Sequence, residues 1–238
     1  MIPNSISLII IYYNQEHLIG DVEQTVLGAA KHFDSITLVD NGSIDKTAEA
    51  LLKIASKSVR ISVISLPENL HIGGSIKHVL AKKTYDWIGW VHGDMLIDES
   101  FYLKAKEIIS SDHDVKCIKA KRRGRRFSEY FFTTCLGYCA STYLRLWLQD
   151  ISAIPCFIHK ELKPAVLQHS TDDYTFDLAV YTFAKYQRLK IRKIPVSIGD
   201  PPSAVSTWNR DLNGYVKMIM IWVQALIHIK SSFRQTKT

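Results

Sequence analysis

Cysteine is sparse in this 238-residue chain, and its four residues, Cys117, Cys135, Cys139 and Cys156, form no C-x-x-C pair. With His159 and His169 they show no zinc spacing, which excludes a zinc-built fold, and the thiols are read as reduced and cytosolic. The N-terminus, MIPNSISLIIIYYN, lacks both a basic n-region and a small-residue cleavage site, so no secretory signal is expected. No apolar run reaches the roughly 18 uninterrupted residues of a membrane span. Two stretches come near. Residues 129–148, EYFFTTCLGYCASTYLRLWL, contain Thr, Ser, Gly and Arg145 and read as a buried or interfacial helix; residues 217–230 are short between their lysines. Peripheral membrane contact is the expectation instead. There is no G-x-S-x-G, hence no case for a catalytic serine. Internal repeats and low-complexity linkers are also missing, which leaves one domain with at most a modest appendage.

What is present is apolar mass in a regular order. Hydrophobic residues make up 47% and aromatics 11% of the chain, enough for a sizeable core. SISLIIIYY (5–13) is a continuous β-branched run, as a strand buried on both faces should be. A helical stretch over about 15–32 follows, then a strand in SITLVDNGS (35–43). A helix over 46–55 is next, with Ser43 as its N-cap. VRISVISL (59–66), GGSIKHVLAKK (73–83) and DWIGWVH (86–92) continue the alternation. Strict alternation predicts a parallel sheet with right-handed crossovers, whose ligands collect at the carboxyl ends of the strands. Beyond Asp94 the spacing predicts a helix over about 98–111 and a strand over 114–120. A basic loop, the long apolar helix, a strand over 191–199 and an amphipathic helix over 212–232 complete the chain.

The strand ends are where polar and aromatic residues recur: Tyr12-Tyr13-Asn14, Asp40-Asn41-Gly42-Ser43, Pro67-Glu68-Asn69 and His92-Gly93-Asp94. A purely structural sheet has no need of that convergence. Gly73 and Gly74 open a helix, where backbone can approach a ligand closely and the helix N-terminus favours an anion. Neither G-x-G-x-x-G nor a P-loop is formed there, and Lys77 reads as a solvated helical lysine. The net charge of +7 is concentrated in KAKRRGRR (119–126), six cations in eight positions. Such density attracts a phosphate, a nucleic acid or an acidic membrane surface. The aromatics after it (Phe127, Tyr130, Phe131, Phe132) are spaced for a helix core rather than a base-stacking platform, so nucleic acid is not the expected partner.

Taken in order, LIIIYYNQEHLI, ITLVDNGSIDKT, ENLHIGGSIKHVL and WVHGDMLID resemble the inverting family-2 glycosyltransferases of the GT-A fold, nearest the dolichol- or polyprenyl-phosphate mannosyltransferase-like branch. KRRGRR, LQDISAIPCFIHKEL, DDYTFDLAVYTFAK and IRKIPVSIGDPPSAVSTWN extend the resemblance over roughly 5–210. It implies an α/β fold with a mostly parallel central sheet flanked by helices. It also implies a single transferase domain over 1–210: a nucleotide-sugar half to about residue 98 and an acceptor-side half over 99–210. Residues 211–238 would be a membrane-associated amphipathic helix.

The implied reaction moves one sugar from a UDP- or GDP-sugar to a polyprenyl phosphate or a saccharide, at the cytoplasmic face of a membrane, with Mn²⁺ or Mg²⁺ as cofactor. Tyr12, Tyr13, Asn14, Asp40, Asn41 and Gly73 are the implied donor-binding residues, Asn41 standing where the family usually has a second Asp. The metal-gripping Asp-x-Asp is His92-Gly93-Asp94, with Asp94 the principal ligand and His92 in place of the first acid. A neutral imidazole there suits Mn²⁺ better than Mg²⁺. Leu96 replaces a Gln of related members, and Asp98 reads as a helix N-cap. Asp150 and Asp173 are the candidate catalytic acids. Asp172 or Asp173 can cap the following helix, and Asp177 lies one turn from Asp173. Arg122, Arg123, Arg125 and Arg126 offer planar forks for an acceptor phosphate. A homo-oligomer or a membrane partner protein is also compatible. Two other classes stay open: a catalytically weak or silent nucleotide-sugar binder, and a basic nucleic-acid-binding protein. A sugar-nucleotide pyrophosphorylase would need a Gly-rich loop with Arg and Lys after the first strand, which YYNQEHLIG lacks.

Overall fold

The computed structural model describes residues 4–94, 99–124, 127–197 and 212–235. The first half follows the expected alternation: β1 (Ile6–Tyr12), α1 (Glu16–Ala29), β2 (Ser35–Asp40), α2 (Thr47–Ala55), β3 (Ile61–Ser65), α3 (His71–Lys82) and β4 (Trp87–His92). The second half adds α4 (Glu99–Ser111), β5 (Val115–Arg123), α5 (Phe127–Leu144), β6 (Cys156–His159), α6 (Lys163–His169), α7 (Phe176–Tyr186), β7 (Lys190–Ser197) and α8 (Leu212–Gln235). The strands form one seven-stranded sheet in the order β3-β2-β1-β4-β6-β5-β7. Every pairing is parallel except the two made by β6, which runs against β4 and β5.

Two cores explain the β-branched runs. On β1, Ile6, Leu8, Ile10 and Tyr12 point to one face, where α1, α2 and α4 pack. Ile9 and Ile11 point to the other, under α3, α6, α7 and α8. Each fully buried aliphatic side chain contributes about 1.5–3 kcal/mol, so a one-residue slip of β1 would exchange both faces at once. Asp86 fastens the start of this sheet. Its carboxylate accepts the Ser5 N–H at 3.0 Å and the Ser5 hydroxyl at 2.9 Å, and pairs with Lys160 at 2.7 Å.

Those partners, Lys160 foremost, hold the Asp86 carboxyl down at about 2. A depressed carboxyl stabilises the fold above its unfolded value and loses that stabilisation as pH falls through the folded one. Asp86→Asn is therefore expected to lower the unfolding free energy by about 1–2 kcal/mol at neutral pH. The deficit should shrink below pH ~4 and vanish near pH ~2; a pH-independent deficit in urea melts would show that the charge is not the cause.

Several expectations are corrected. Helix α2 begins at Thr47, and Ser43 does not cap it: its hydroxyl accepts the Asn14 N–H at 3.0 Å, while Asp45 takes the Thr47 N–H at 3.0 Å. The basic stretch is strand rather than loop as far as Arg123, because β5 pairs with β7 through that residue. Lys119 is fully buried there, donating to the Ala153 carbonyl at 2.6 Å and lying 5.5 Å from the Tyr181 ring centroid. Lys77 is not solvated; it pairs with Asp172 and is only 23% exposed. The aromatics of α5 are not core: Phe127, Tyr130 and Phe131 are exposed, because the helix packs inward through Gly137 and Ala140 instead. Arg125, Arg126, Leu96 and Asp98 lie outside the described residues.

Candidate active site

The parallel strands end together, and β6, being antiparallel, starts at the same edge. The edge therefore carries the ends of β1, β2, β3 and β4, the Arg122–Arg123 end of β5, and the 150–155 turn before β6. Three non-glycine residues with left-handed backbone stand on it: Asn14 (φ 50°), His71 (φ 57°) and Asp150 (φ 53°). Such conformations cost free energy and concentrate at functional edges.

The β1 end divides the two tyrosines. Tyr12 is 1% exposed and lies against Gly93, where an added Cβ would come within 2.2 Å of the Tyr12 ring. Only glycine in the centre of His92-Gly93-Asp94 allows that contact. Burial, and secondly the Asp94 charge, push the Tyr12 phenol well above its ordinary value, which sets the Asp94 carboxylate beside the strand end. Tyr13 is 43% exposed and is the aromatic that can meet a nucleotide base. Asn14 holds β1 to the next turn: its amide oxygen accepts the Ile44 N–H at 3.0 Å.

Asp40 is 3% exposed and accepts the Ser43 N–H at 3.1 Å, closing the turn that follows β2. Asn41 is engaged by the protein on every side. Its Nδ2 donates to Asn69 Oδ1 at 3.0 Å and to the His71 carbonyl at 3.3 Å, and its Oδ1 accepts the Leu70 N–H at 3.0 Å. That commits the acceptor expected to meet the nucleotide, and makes Asn41 a tie between the β2 and β3 ends. Gly73 is likewise used internally. An added Cβ would meet the Thr171 carbonyl at 2.4 Å, and the neighbouring Gly74 N–H donates to the Asp172 carbonyl at 2.8 Å. The start of α3 thus cradles the 170–173 turn.

Asp150 and Arg122, expected in separate roles, hold each other. Asp150 accepts from the Arg122 backbone N–H at 2.8 Å, from Nε at 2.8 Å and from Nη2 at 2.6 Å. Their side chains are only 10% and 15% exposed. Three donors, two of them from a guanidinium, engage the Asp150 carboxylate and pair the Arg122 charge. Arg123 is exposed at the strand end. Asp173 accepts the Thr175 N–H at 2.8 Å and the Thr175 hydroxyl at 2.5 Å, just ahead of α7. It is partly exposed, and its charge helps burial push Tyr174 up to about 12. Asp177 does not share its face: it is buried and accepts the Trp90 indole N–H at 2.9 Å. That bond under the β4 end, and the Arg122–Asp150 pair, had no signal in the sequence, since their partners lie 87 and 28 positions apart.

His92 and Asp94 are both partly exposed at the β4 end. Among the described residues, no group of three His, Cys, Asp or Glu comes together to hold a metal ion. Mg²⁺ and Mn²⁺ at phosphate-transfer sites need only one or two protein ligands, with phosphate oxygens and water filling the rest. Asp94 and His92 fit a cation of that kind, completed by a bound diphosphate.

Residues 7–189 match the family model for Glycosyl transferase family 2. The chain belongs to this family. No curated protein sequence matches it. Among solved structures it resembles glucosyl-3-phosphoglycerate synthase from Mycobacterium tuberculosis in complex with Mn²⁺, UDP and glucosyl-3-phosphoglycerate. That match has a TM-score of 0.74 at 16% identity, covering 96% of this chain and 80% of that one. The same synthase with Mg²⁺ and UDP matches at TM-score 0.74 and 18% identity, again over 96% and 80% of the two chains. At these identities the likeness concerns the fold, which is GT-A: a mostly parallel sheet flanked by helices.

Proposed function

We propose that the chain is a metal-dependent inverting glycosyltransferase that moves one sugar from a nucleoside diphosphate sugar to a polyprenyl phosphate, at the cytoplasmic face of a membrane, in surface polysaccharide or glycolipid synthesis. The observation that carries this is the meeting of Tyr13, Asp40, His92 and Asp94 on one sheet edge of a family-2 chain. The structural neighbours are described with UDP and Mn²⁺ or Mg²⁺ bound, which supports a UDP-type donor and a divalent cation. Residues to about 98 bind the donor, and residues 99–210 shape the acceptor side.

Tyr13 packs on the base, and the fixed Asp40 carboxylate orients base or ribose. Asp94, with His92, holds the cation, which when bound offsets the charge developing on the diphosphate as the sugar–oxygen bond breaks. An acceptor phosphate is already anionic and needs placing rather than deprotonating, which exposed Lys121 and Arg123 can do. The Arg122–Asp150 pair favours a second reading, because it withdraws one arginine from that task. In it the acceptor is a saccharide hydroxyl, and Asp173, the less committed acid, takes the proton.

The deciding experiment incubates the purified protein with Mn²⁺ or Mg²⁺, UDP- and GDP-sugars, and either a polyprenyl phosphate or a saccharide. Nucleoside diphosphate release that requires the lipid phosphate supports the first reading; release that requires the saccharide supports the second. Donor binding without release under any acceptor supports a silent homologue. His92→Asp is expected to keep or raise activity and to shift preference from Mn²⁺ toward Mg²⁺, since it replaces a nitrogen ligand with a hard oxygen. An inactive His92→Asp protein in the same assay would give His92 a role of its own.

A further inference from the structure

Helix α8 is apolar on two sides. Trp222, Ala225, Ile229 and Phe233 face inward and are buried against the α7 side of the core. Val216, Ile219, Met220, Val223 and Ile227, spaced i, i+3, i+4, i+7 and i+11, are all about half exposed. A helix facing water on that side would carry polar residues there. Helix α5 repeats the pattern beside it: Phe127, Tyr130, Phe131 and Tyr138 are exposed along its outward side, with Phe127 stacked on Phe131. The two helices touch, Lys230 donating to the Tyr143 carbonyl at 3.0 Å and lying 3.9 Å from that ring centroid.

Charge selects what covers this face. Helix α8 has no acidic residue in 24 positions but contains Lys217, Lys230 and Arg234, and α5 contains Glu129 alone. Just ahead of α5, Lys121 and Arg123 are exposed at the end of β5. A second copy docking symmetrically would set these cations against themselves, whereas anionic headgroups would complement them. The anchoring of Trp222, Ile229 and Phe233 in the core also prevents α8 from crossing a bilayer without unpacking the protein, although its length would suffice. Aliphatic residues, exposed aromatics and flanking lysines describe a surface that lies in a membrane interface.

We infer that the outward faces of α5 and α8 form a docking surface for an anionic lipid bilayer, with both helices lying flat in its interface. This gives a structural basis to the membrane placement in the proposed function, on which it rests for its purpose. Arg123, at the catalytic edge of the sheet, lies four residues before the first docking residue, Phe127, so docking brings that edge to the headgroup layer.

The full chain should cosediment with vesicles of phosphatidylcholine containing phosphatidylglycerol, far less with phosphatidylcholine alone, and less as salt rises. Val223→Ser with Ile227→Ser, and separately Phe127→Ser with Phe131→Ser, should each weaken binding at least about tenfold while leaving donor binding without lipid unchanged. If either pair unfolds on a melting curve, the exposed Lys217→Glu is read in its place, with the same direction expected. Failure of the parent to bind anionic vesicles overturns the inference, as do variants that bind like the parent. A parent dimer that the same substitutions disperse also overturns it, because the face then belongs to a second copy. A parent that releases nucleotide but does not bind anionic vesicles defeats the docking surface alone; a parent that binds vesicles but uses no donor defeats the transferase reading alone.

Discussion

Asp94→Ala is expected to abolish metal-dependent donor binding and to lower kcat/KM by about a thousandfold, with little change in melting temperature. The magnitude follows from the chemistry. A cation on a departing diphosphate supplies several kcal/mol of transition-state stabilisation, and about 4 kcal/mol is a thousandfold in rate. Asp94 is the carboxylate at the β4 end, and no trio of ligating residues among those described can take over its task. The fold should tolerate the change, because Asp94 is partly exposed and its charge opposes the ionisation of the buried Tyr12. Chelation of the parent should reproduce the activity of the variant. Calorimetry with the UDP-sugar and Mn²⁺ checks the binding half directly, and donor affinity equal to the parent's would remove the cation from Asp94.

How much of this site could be read from the sequence depended on how local each signal was. The strands of the first half announce themselves, because a strand buried on both faces is apolar at consecutive positions, as LIII (8–11) in β1 is. Their order along the chain then requires Tyr13, Asp40 and Asp94 to share an edge. The 170–173 turn was different. Nothing near Gly73 and Gly74 tells that the backbone filling their cradle comes from about 100 residues later, so a glycine pair spaced for the chain itself resembles one spaced for a phosphate. Lys119 counts among the six clustered cations of the sequence, and its burial does not show there because it depends on Ala153 and Tyr181, contacts that composition does not record. The aromatics of α5 were assigned to the core by their spacing alone. Spacing shows that a helix has an apolar stripe, not which stripe meets the protein, and α5 packs through Gly137 and Ala140.

Asp150 is where the two levels of evidence diverge most, and its substitution separates them. Asp150→Ala is expected to lower stability by about 3–5 kcal/mol, the cost of leaving a largely buried guanidinium without its partner. Alanine at φ 53° adds about 1 kcal/mol, since the left-handed region suits Asp, Asn and Gly better. Arg122→Ala should be similarly harmful, because it removes the Nε and Nη2 donors from the Asp150 carboxylate and keeps the backbone N–H. Arg122→Met with Asp150→Leu should recover most of the loss, since neither charge is then buried alone. Urea denaturation of the two alanine variants and the double variant measures this. Asp150→Asn is the informative companion. It keeps the shape, tolerates the backbone and can still accept from Nε, so a positioning role predicts transfer within about tenfold of the parent at low temperature, whereas a base would lose about a hundredfold or more. A collapse of kcat in a stably folded Asp150→Asn protein would return Asp150 to the reaction. The expected result leaves Asp173 as the acid on which a hydroxyl acceptor must depend.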